Sequence, residues 1–274
     1  MGKISDALER ASKEKIITLG DRPQEEPKRL IPDDPEITLA KDICKINGCN
    51  EKLVVLSAPD SPDAENFKLL RGQILFPRDR QRPKTIMVAS TLPGEGKTFV
   101  AANLAASIAL SIDESVLLID CDLRNPKLHD IFNYTNKAGL HEYLTCKKSL
   151  QDLIVHTQLD KLSLLTAGSL PPNPSELLSS TAMRSFIEEV SERYQDRLAV
   201  FDSPPSHNFV EAKVLAEQVD GTILVIMAHR SPRKEIQKAI QNLGRDKILG
   251  IVFNGYNHAR KTIYKHYEKY YKGK

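Results

Sequence analysis

The chain predicts an α/β fold: a doubly wound, mainly parallel sheet with helices on both faces and a phosphate-binding loop after its first strand. Two observations carry this. From Thr85 onward, apolar runs of strand length alternate with helix-type segments. The runs are continuously apolar, as in Val116-Leu117-Leu118-Ile119 and Thr222 to Met227, which marks parallel strands buried on both faces. Between the first run, Thr85 to Ala89, and a helix-type run from Phe99 lies Ser90-Thr91-Leu92-Pro93-Gly94-Glu95-Gly96-Lys97-Thr98. Strand, Gly-rich turn, Gly-Lys-Thr and helix is the context in which backbone N–H groups and a helix N-terminus cradle phosphate. Thr91 stands where the usual pattern has its first glycine.

In chain order, Ile4, Ala7, Leu8 and Ala11 share one helical stripe, so residues 1–17 read as a short amphipathic N-terminal helix, too short to be stable alone in water. Residues 18–50, with Pro23, Pro27, Pro32, Pro35 and many charges, read as a linker. A domain follows over 51–255. Ser61-Pro62 opens a helix that runs to about Phe76 and is stopped by Pro77. Strands are expected at 85–89, 115–119, 162–166, 197–201, 221–227 and 248–253, with helices near 98–111, 175–194, 209–218 and 231–242. Ligands bind at the carboxyl ends of such strands. Residues 256–274 form a tail, read as flexible.

The 274 residues are 41% hydrophobic, enough for a full core, and no run approaches the ~20 apolar residues of a membrane span. With no apolar leader, the protein is expected in the cytosol. Cys44, Cys49, Cys121 and Cys146 show neither Cys-x-x-Cys nor zinc spacing and read as reduced thiols. The net charge of +3 is too small to argue for nucleic acid. Its distribution is uneven: from His258 to Lys274 six Lys/Arg and one Glu give +5, leaving −2 for the rest. A basic tail on a mildly acidic body is expected to dock onto something anionic.

A phosphate-binding loop needs carboxylates to hold Mg²⁺ and position a nucleophile. Two apolar strands end in them. One gives Asp120-Cys121-Asp122-Leu123-Arg124, the other Asp202-Ser203-Pro204-Pro205. Asp120 and Asp122, two apart in an extended stretch, are expected on one side, one to hold metal and the other to take a proton. Arg124 is read either as a contact to phosphate or a neighbouring subunit, or as a counter-charge to the paired Asp. Four of eight tyrosines, Tyr264, Tyr267, Tyr270 and Tyr271, fall in the last eleven residues. At about −1.5 to −2 per phosphotyrosine, phosphorylating all four would swing the tail from +5 to about −1 to −3.

These motifs resemble those of the bacterial tyrosine kinases, in particular the CpsD/CapB type that serves capsule and exopolysaccharide export. The resemblance covers nearly all of residues 51–274. It rests on Pro93 to Thr98 (Walker A), Leu117 to Pro126 (Walker A′), Val200 to Pro205 (Walker B), the Gly168-Ser169-Leu170-Pro171-Pro172-Asn173-Pro174-Ser175-Glu176-Leu177-Leu178 segment and the tyrosine tail. It implies a P-loop NTPase fold like that of MinD and ParA. It also implies ATP and Mg²⁺ as cofactors, and tyrosine autophosphorylation of the tail.

Carried onto matching positions, the resemblance groups Pro93, Gly94, Glu95, Gly96, Lys97, Thr98 and Phe99 about the phosphates, with Lys97 on the β- and γ-phosphates. Thr98 and Asp122 would bind Mg²⁺ directly, and Asp202 through water. Asp120 would position or deprotonate the incoming tyrosine, and Asn254 would contact the base. Glu65, Lys68 and Arg71 match a Glu-x-x-Arg-x-x-Arg subunit-joining element, with Lys68 at an Arg position, keeping the charge but losing the planar fork. Implied partners are further copies of the chain, a separate transmembrane polysaccharide co-polymerase as activator, and a cognate tyrosine phosphatase. A ParA/MinD-type switch is the nearest rival, but it typically carries a lysine where Leu92 stands. An iron protein with a shared cluster, and a scaffold phosphorylated by another kinase, fit the residues less well.

Overall fold

The computed structural model describes residues 50–193, 197–206 and 210–256. The expected N-terminal helix, the linker up to residue 49 and all four tail tyrosines lie outside the described residues. In chain order the elements are α1 (Val54–Ser57), α2 (Pro62–Leu75), β1 (Thr85–Ser90), α3 (Lys97–Ala109), β2 (Ser115–Asp120), α4 (Leu128–Ile131) and α5 (Leu140–Leu144). There follow β3 (Val155–His156), β4 (Leu162–Leu165), α6 (Pro174–Leu178), α7 (Thr181–Arg193), β5 (Arg197–Asp202), α8 (Val210–Gln218), β6 (Gly221–Met227), α9 (Arg233–Leu243) and β7 (Ile248–Asn254).

The seven strands form one sheet in the order β3-β4-β2-β5-β1-β6-β7, parallel throughout except for β3 against β4. All six predicted strands are present, four of them one residue longer, at Ser90, Asp120, Asp202 and Asn254, and β4 one residue shorter. The two-residue β3 was not predicted: it carries too little pattern to be seen. Alternate residues of each strand face opposite sides. Ile86, Val88, Leu118 and Val200 join the core under α2 and α3, while Met87, Leu117, Ile119 and Phe201 join the one under α7, α8 and α9.

Helix α2 starts as predicted, with Ser61 Oγ accepting from Ala64 N at 3.2 Å and Pro62 in the first turn. The single helix expected over 175–194 is two. Ser180 Oγ accepts from Met183 N at 3.2 Å and starts α7 afresh, the local side-chain-to-backbone competition that makes serine a cap. The one-turn helices α1, α4 and α5 were also unforeseen. Cys121 is buried and Cys146 exposed, both as free thiols. Among the described residues no helix is long and apolar enough to cross a membrane.

The stretch entering the domain is fastened to α3 by Asn103, fully buried within the apolar stretch Phe99 to Ala106. Its amide donates to Lys52 O at 2.7 Å and Phe99 O at 2.9 Å, and its Oδ1 accepts from Val55 N at 3.2 Å. Asn103→Ala strands the Lys52 carbonyl and the Val55 N–H. It should cost about 2–3 kcal/mol, read as a lowered urea midpoint with unchanged slope; an unchanged midpoint contradicts the fastening.

Candidate active site

Three adjacent strands deliver the site. In the order β2-β5-β1, Asp120 pairs in register with Asp202, and Asp202 with Val88, two residues short of the end of β1. The loop after β1 runs from Thr91 to Gly96. Gly96 has φ +94°, and a Cβ there would lie 2.1 Å from Asn254 Nδ2, so this position requires glycine. Helix α3 then starts at Lys97, and Val100 N is the first amide bonded back to Gly96 O at 2.9 Å. The N–H groups of Lys97, Thr98 and Phe99 thus lack intrahelical acceptors, the condition for anion binding. The Phe99 ring turns away to the α2 side, 5.8 Å from Phe67; its backbone is what it can offer a phosphate.

The loop is held from behind. Glu95 is fully buried. Its Oε2 accepts from Leu92 N at 2.8 Å, and its Oε1 accepts from the Ser231 hydroxyl in the β6–α9 turn. Asn254 ends β7 and donates to Glu95 O at 2.9 Å. The Glu95 side chain is therefore a brace rather than a ligand contact, and the Asn254 amide reaches the loop itself. Ser231 carries no signature in the sequence: it is 136 residues from Glu95, and only the sheet brings them together.

At the centre, the Lys97 ammonium donates to Asp122 Oδ2 at 2.8 Å and to Thr98 Oγ1 at 3.3 Å, and lies 3.6 Å from Asp202 Oδ1. Burial works against the charged amine, but Asp202 and Asp122 outweigh it and hold its pKa above the ordinary lysine value. Asp120 is fully buried. Its Oδ1 accepts from Asp122 N and its Oδ2 from Lys127 N and Leu128 N, each at 3.1 Å. It therefore starts α4 as well as facing the site. Burial first, then the Asp202 charge, push Asp120 up to about 7, against Lys97 and the Leu128 N–H. Burial pushes Asp202 up to about 6, with Lys97 and Thr98 opposing it. Neither of those two groups meets hydrogen-bond geometry with Asp202, whose two carboxylate oxygens are both buried without a hydrogen-bond partner.

Asp120 and Asp122 both face Lys97, as expected, but not along one extended strand. The strand ends at Asp120, and Asp122 sits in the turn beyond, where Asn125 N donates to its Oδ1 at 3.1 Å. Arg124 is paired within the chain, its Nε and an Nη donating to Glu211 at 3.0 and 2.8 Å. On α2, Glu65 and Lys68 pair at 3.0 Å, while Arg71 donates to Ser107 O at 2.7 Å within the same chain.

Three carboxylates thus share one ammonium, all buried. The surplus of negative charge and the orphaned Asp202 oxygens fit a divalent cation. No cluster of three His, Cys, Asp or Glu among the described residues could hold a metal by itself. A divalent ion here would be held by one or two carboxylates together with phosphate oxygens and water.

This architecture defines a P-loop nucleotide-binding domain, and the comparisons agree. Residues 86–274 match the CobQ/CobB/MinD/ParA nucleotide binding domain family. A relative in Bacillus subtilis, tyrosine-protein kinase YwqD, is 35% identical over 217 residues, 78% of this chain and 90% of that one. The crystal structure of the chimerical protein CapA2B2 superposes with a TM-score of 0.71 at 30% identity, covering 79% of this chain and 99% of that one. The kinase domain of the Escherichia coli tyrosine kinase ETK gives 0.68 at 32%, covering 77% and 84%. The chain belongs to the bacterial tyrosine-protein kinases.

The raised pKa values of Asp120 and Asp202 set a stability trend. The folded protein binds protons that the unfolded chain releases between about 4 and 7, so stability falls as pH rises through that window. The nucleotide- and metal-free protein should be more resistant to denaturant at pH 5.5 than at pH 8. Asp120→Asn should flatten the trend. Stability that rises from pH 5.5 to 8 contradicts it.

Proposed function

We propose that this kinase uses Mg-ATP to phosphorylate its own C-terminal tyrosines, Tyr264, Tyr267, Tyr270 and Tyr271. It does so in trans within a homo-oligomer, in the service of exopolysaccharide or capsule export. The observation that carries the reading is the buried three-carboxylate, one-ammonium cluster directly beneath the phosphate-binding loop.

In this reading the N–H groups at the start of α3 bind phosphate. The Lys97 ammonium leaves Asp122 for the β- and γ-phosphate oxygens, where it stabilises charge that grows in the transition state. Thr98 and Asp122 would hold Mg²⁺ directly and Asp202 through water; the ion, when bound, neutralises charge on the phosphates. Asp120, with a pKa near neutral, suits a general base. It takes the phenolic proton as the tyrosine oxygen forms its bond to the γ-phosphorus, the bond to the bridging oxygen breaks and ADP leaves. Asn254, already against the loop, contacts the base.

The +5 tail is drawn to a surplus of carboxylates and is repelled once each tyrosine gains about −1.5 to −2 charges. Glu65, Lys68 and Arg71 lie on α2, whose Leu69 and neighbouring Phe76 are 66% and 76% exposed, a surface suited to a second copy. The similar solved protein CapA2B2 is chimerical, in keeping with a kinase that works with a second polypeptide, proposed here to be a transmembrane polysaccharide co-polymerase that would activate the kinase and bring it to the membrane. A cognate tyrosine phosphatase would reset the tail.

Mass spectrometry after incubation with Mg-ATP and activator should place phosphate on the four tail tyrosines. Lys97→Met should abolish it. Asp120→Asn should keep most binding of a non-hydrolysable analogue while slowing transfer at least a hundredfold, the lower end of general-base contributions. Tail tyrosines that stay unmodified in ATP-binding protein overturn the proposal.

The trans step has its own test. Mixed with an active truncation ending before Tyr264, the Lys97→Met chain should become labelled at low salt, where charge attraction is least screened. No label in the mixture, beside an active full-length protein whose specific rate ignores concentration, means that the reaction runs in cis.

A further inference from the structure

Two features remain without a role in this chemistry: Arg124 of the A′ turn and the Gly168–Leu178 segment. They meet at Glu211, on the first turn of α8 and only 1% exposed. Glu211 Oε1 accepts from Arg124 Nε at 3.0 Å, from an Arg124 Nη at 2.8 Å and from Ser175 Oγ at 2.7 Å. The same Arg124 Nη lies 3.1 Å from Ser175 Oγ, so the three side chains close a ring. Burial alone raises a carboxyl, but the Ser175 hydroxyl and the Arg124 guanidinium hold Glu211 below its ordinary value.

Each arm of the ring is fixed at its far end. Ser175 follows the buried Pro174 that opens α6. Upstream, Gly168 N donates to Asn136 Oδ1 at 2.8 Å, and the Ser169 hydroxyl donates to Glu142. Gly168 has φ +83°, and a Cβ there would lie 2.0 Å from Glu142 Oε2. Arg124 sits in the turn that Asn125 N closes on Asp122, through Asp122 Oδ1 at 3.1 Å and Asp122 O at 3.2 Å. Helix α8 follows the Walker B loop, where Ser206 N and Oγ both donate to Ser90 O, at 2.8 and 3.0 Å.

We infer that Glu211 is a positioning residue: through Arg124 and Ser175 it braces the A′ turn against α6 and α8, and so fixes the direction of the Asp122 carboxylate toward the metal. The role rests on the proposal that Asp122 is a metal ligand. Glu211 is buried while Arg124 is 43% exposed, so loss of the Glu211 charge removes the charge-assisted hydrogen bonds that fix the guanidinium and lets the 122–125 turn relax around a solvated Arg124. Outer partners of this kind typically contribute 10–100-fold in metal affinity.

Mn²⁺ serves as the probe, titrated by electron paramagnetic resonance into full-length protein saturated with a non-hydrolysable ATP analogue. Glu211→Gln keeps the shape and loses the charge. It should weaken Mn²⁺ about tenfold, while the metal-free affinity for the analogue stays within twofold. Ser175→Ala should give a smaller shift in the same direction, and Arg124→Lys, which loses the fork, an intermediate one. A merely structural role would lower the melting temperature and leave the Mn²⁺ affinity of the folded fraction alone. Wild-type Mn²⁺ affinity in folded Glu211→Gln overturns the brace; if that variant does not fold, wild-type affinity in Arg124→Lys does so instead. Asp122→Asn keeps the two readings apart. If it binds Mn²⁺ as wild type does, the ligand assignment fails; if it loses Mn²⁺ while Glu211→Gln and Arg124→Lys do not, only the brace fails.

Discussion

The constraint on which the site depends is the burial of three carboxylates around a single ammonium. Asp120, Asp122 and Asp202 are each 5% exposed or less, and Lys97 is 8% exposed. Charges in such a place are costly unless paired. One cation cannot pair with three anions, and the protein meets the shortfall in different ways at each carboxylate. Asp122 takes the ammonium. Asp120 takes three backbone N–H groups. Asp202 takes no hydrogen bond at all. The site therefore carries a surplus of buried negative charge that a divalent cation would offset.

The surrounding structure reads as the means of holding that arrangement. The loop over the phosphates is fixed from outside by Glu95, Ser231 and Asn254, so its amides are oriented before any ligand arrives. Asp120 links the site to α4, because the same carboxylate that faces Lys97 receives the first amides of that helix. Asn103 links it to the entering chain at Lys52 and Val55. In each link a side chain ties one loop or helix end to another, at separations from three residues (Glu95 to Leu92 N) to 159 (Asn254 to Glu95 O). Electrostatic catalysis depends on such preorganisation, since donors placed in advance need not reorganise when charge develops.

Much of this was legible in the chain alone. Continuous apolar runs gave six of the seven strands because the strands are buried on both faces. The loop, its lysine and the strand-end aspartates were visible because phosphate chemistry demands small residues, one cation and carboxylates at fixed positions relative to strands. Asn103 could have been found as well: a lone amide inside Phe99-Val100-Ala101-Ala102-Asn103-Leu104-Ala105-Ala106 is a buried polar group in need of partners. Ser180 hid the break between α6 and α7 because a serine within a helical pattern is ordinary until its hydroxyl is seen to cap.

The sequence by itself determined the class of fold, the phosphate loop and the identity of the charged groups, because those follow from local periodicity and from residue chemistry at short spacing. Tertiary structure alone decided which charge meets which. Lys97 and Asp122 are 25 residues apart, Arg124 and Glu211 are 87 apart, and Glu95 and Ser231 are 136 apart. No local pattern encodes these pairings. They arise from the order β2-β5-β1-β6 in the sheet, which is fixed by how the apolar faces pack, and only then are the polar groups at the strand ends brought within reach of one another.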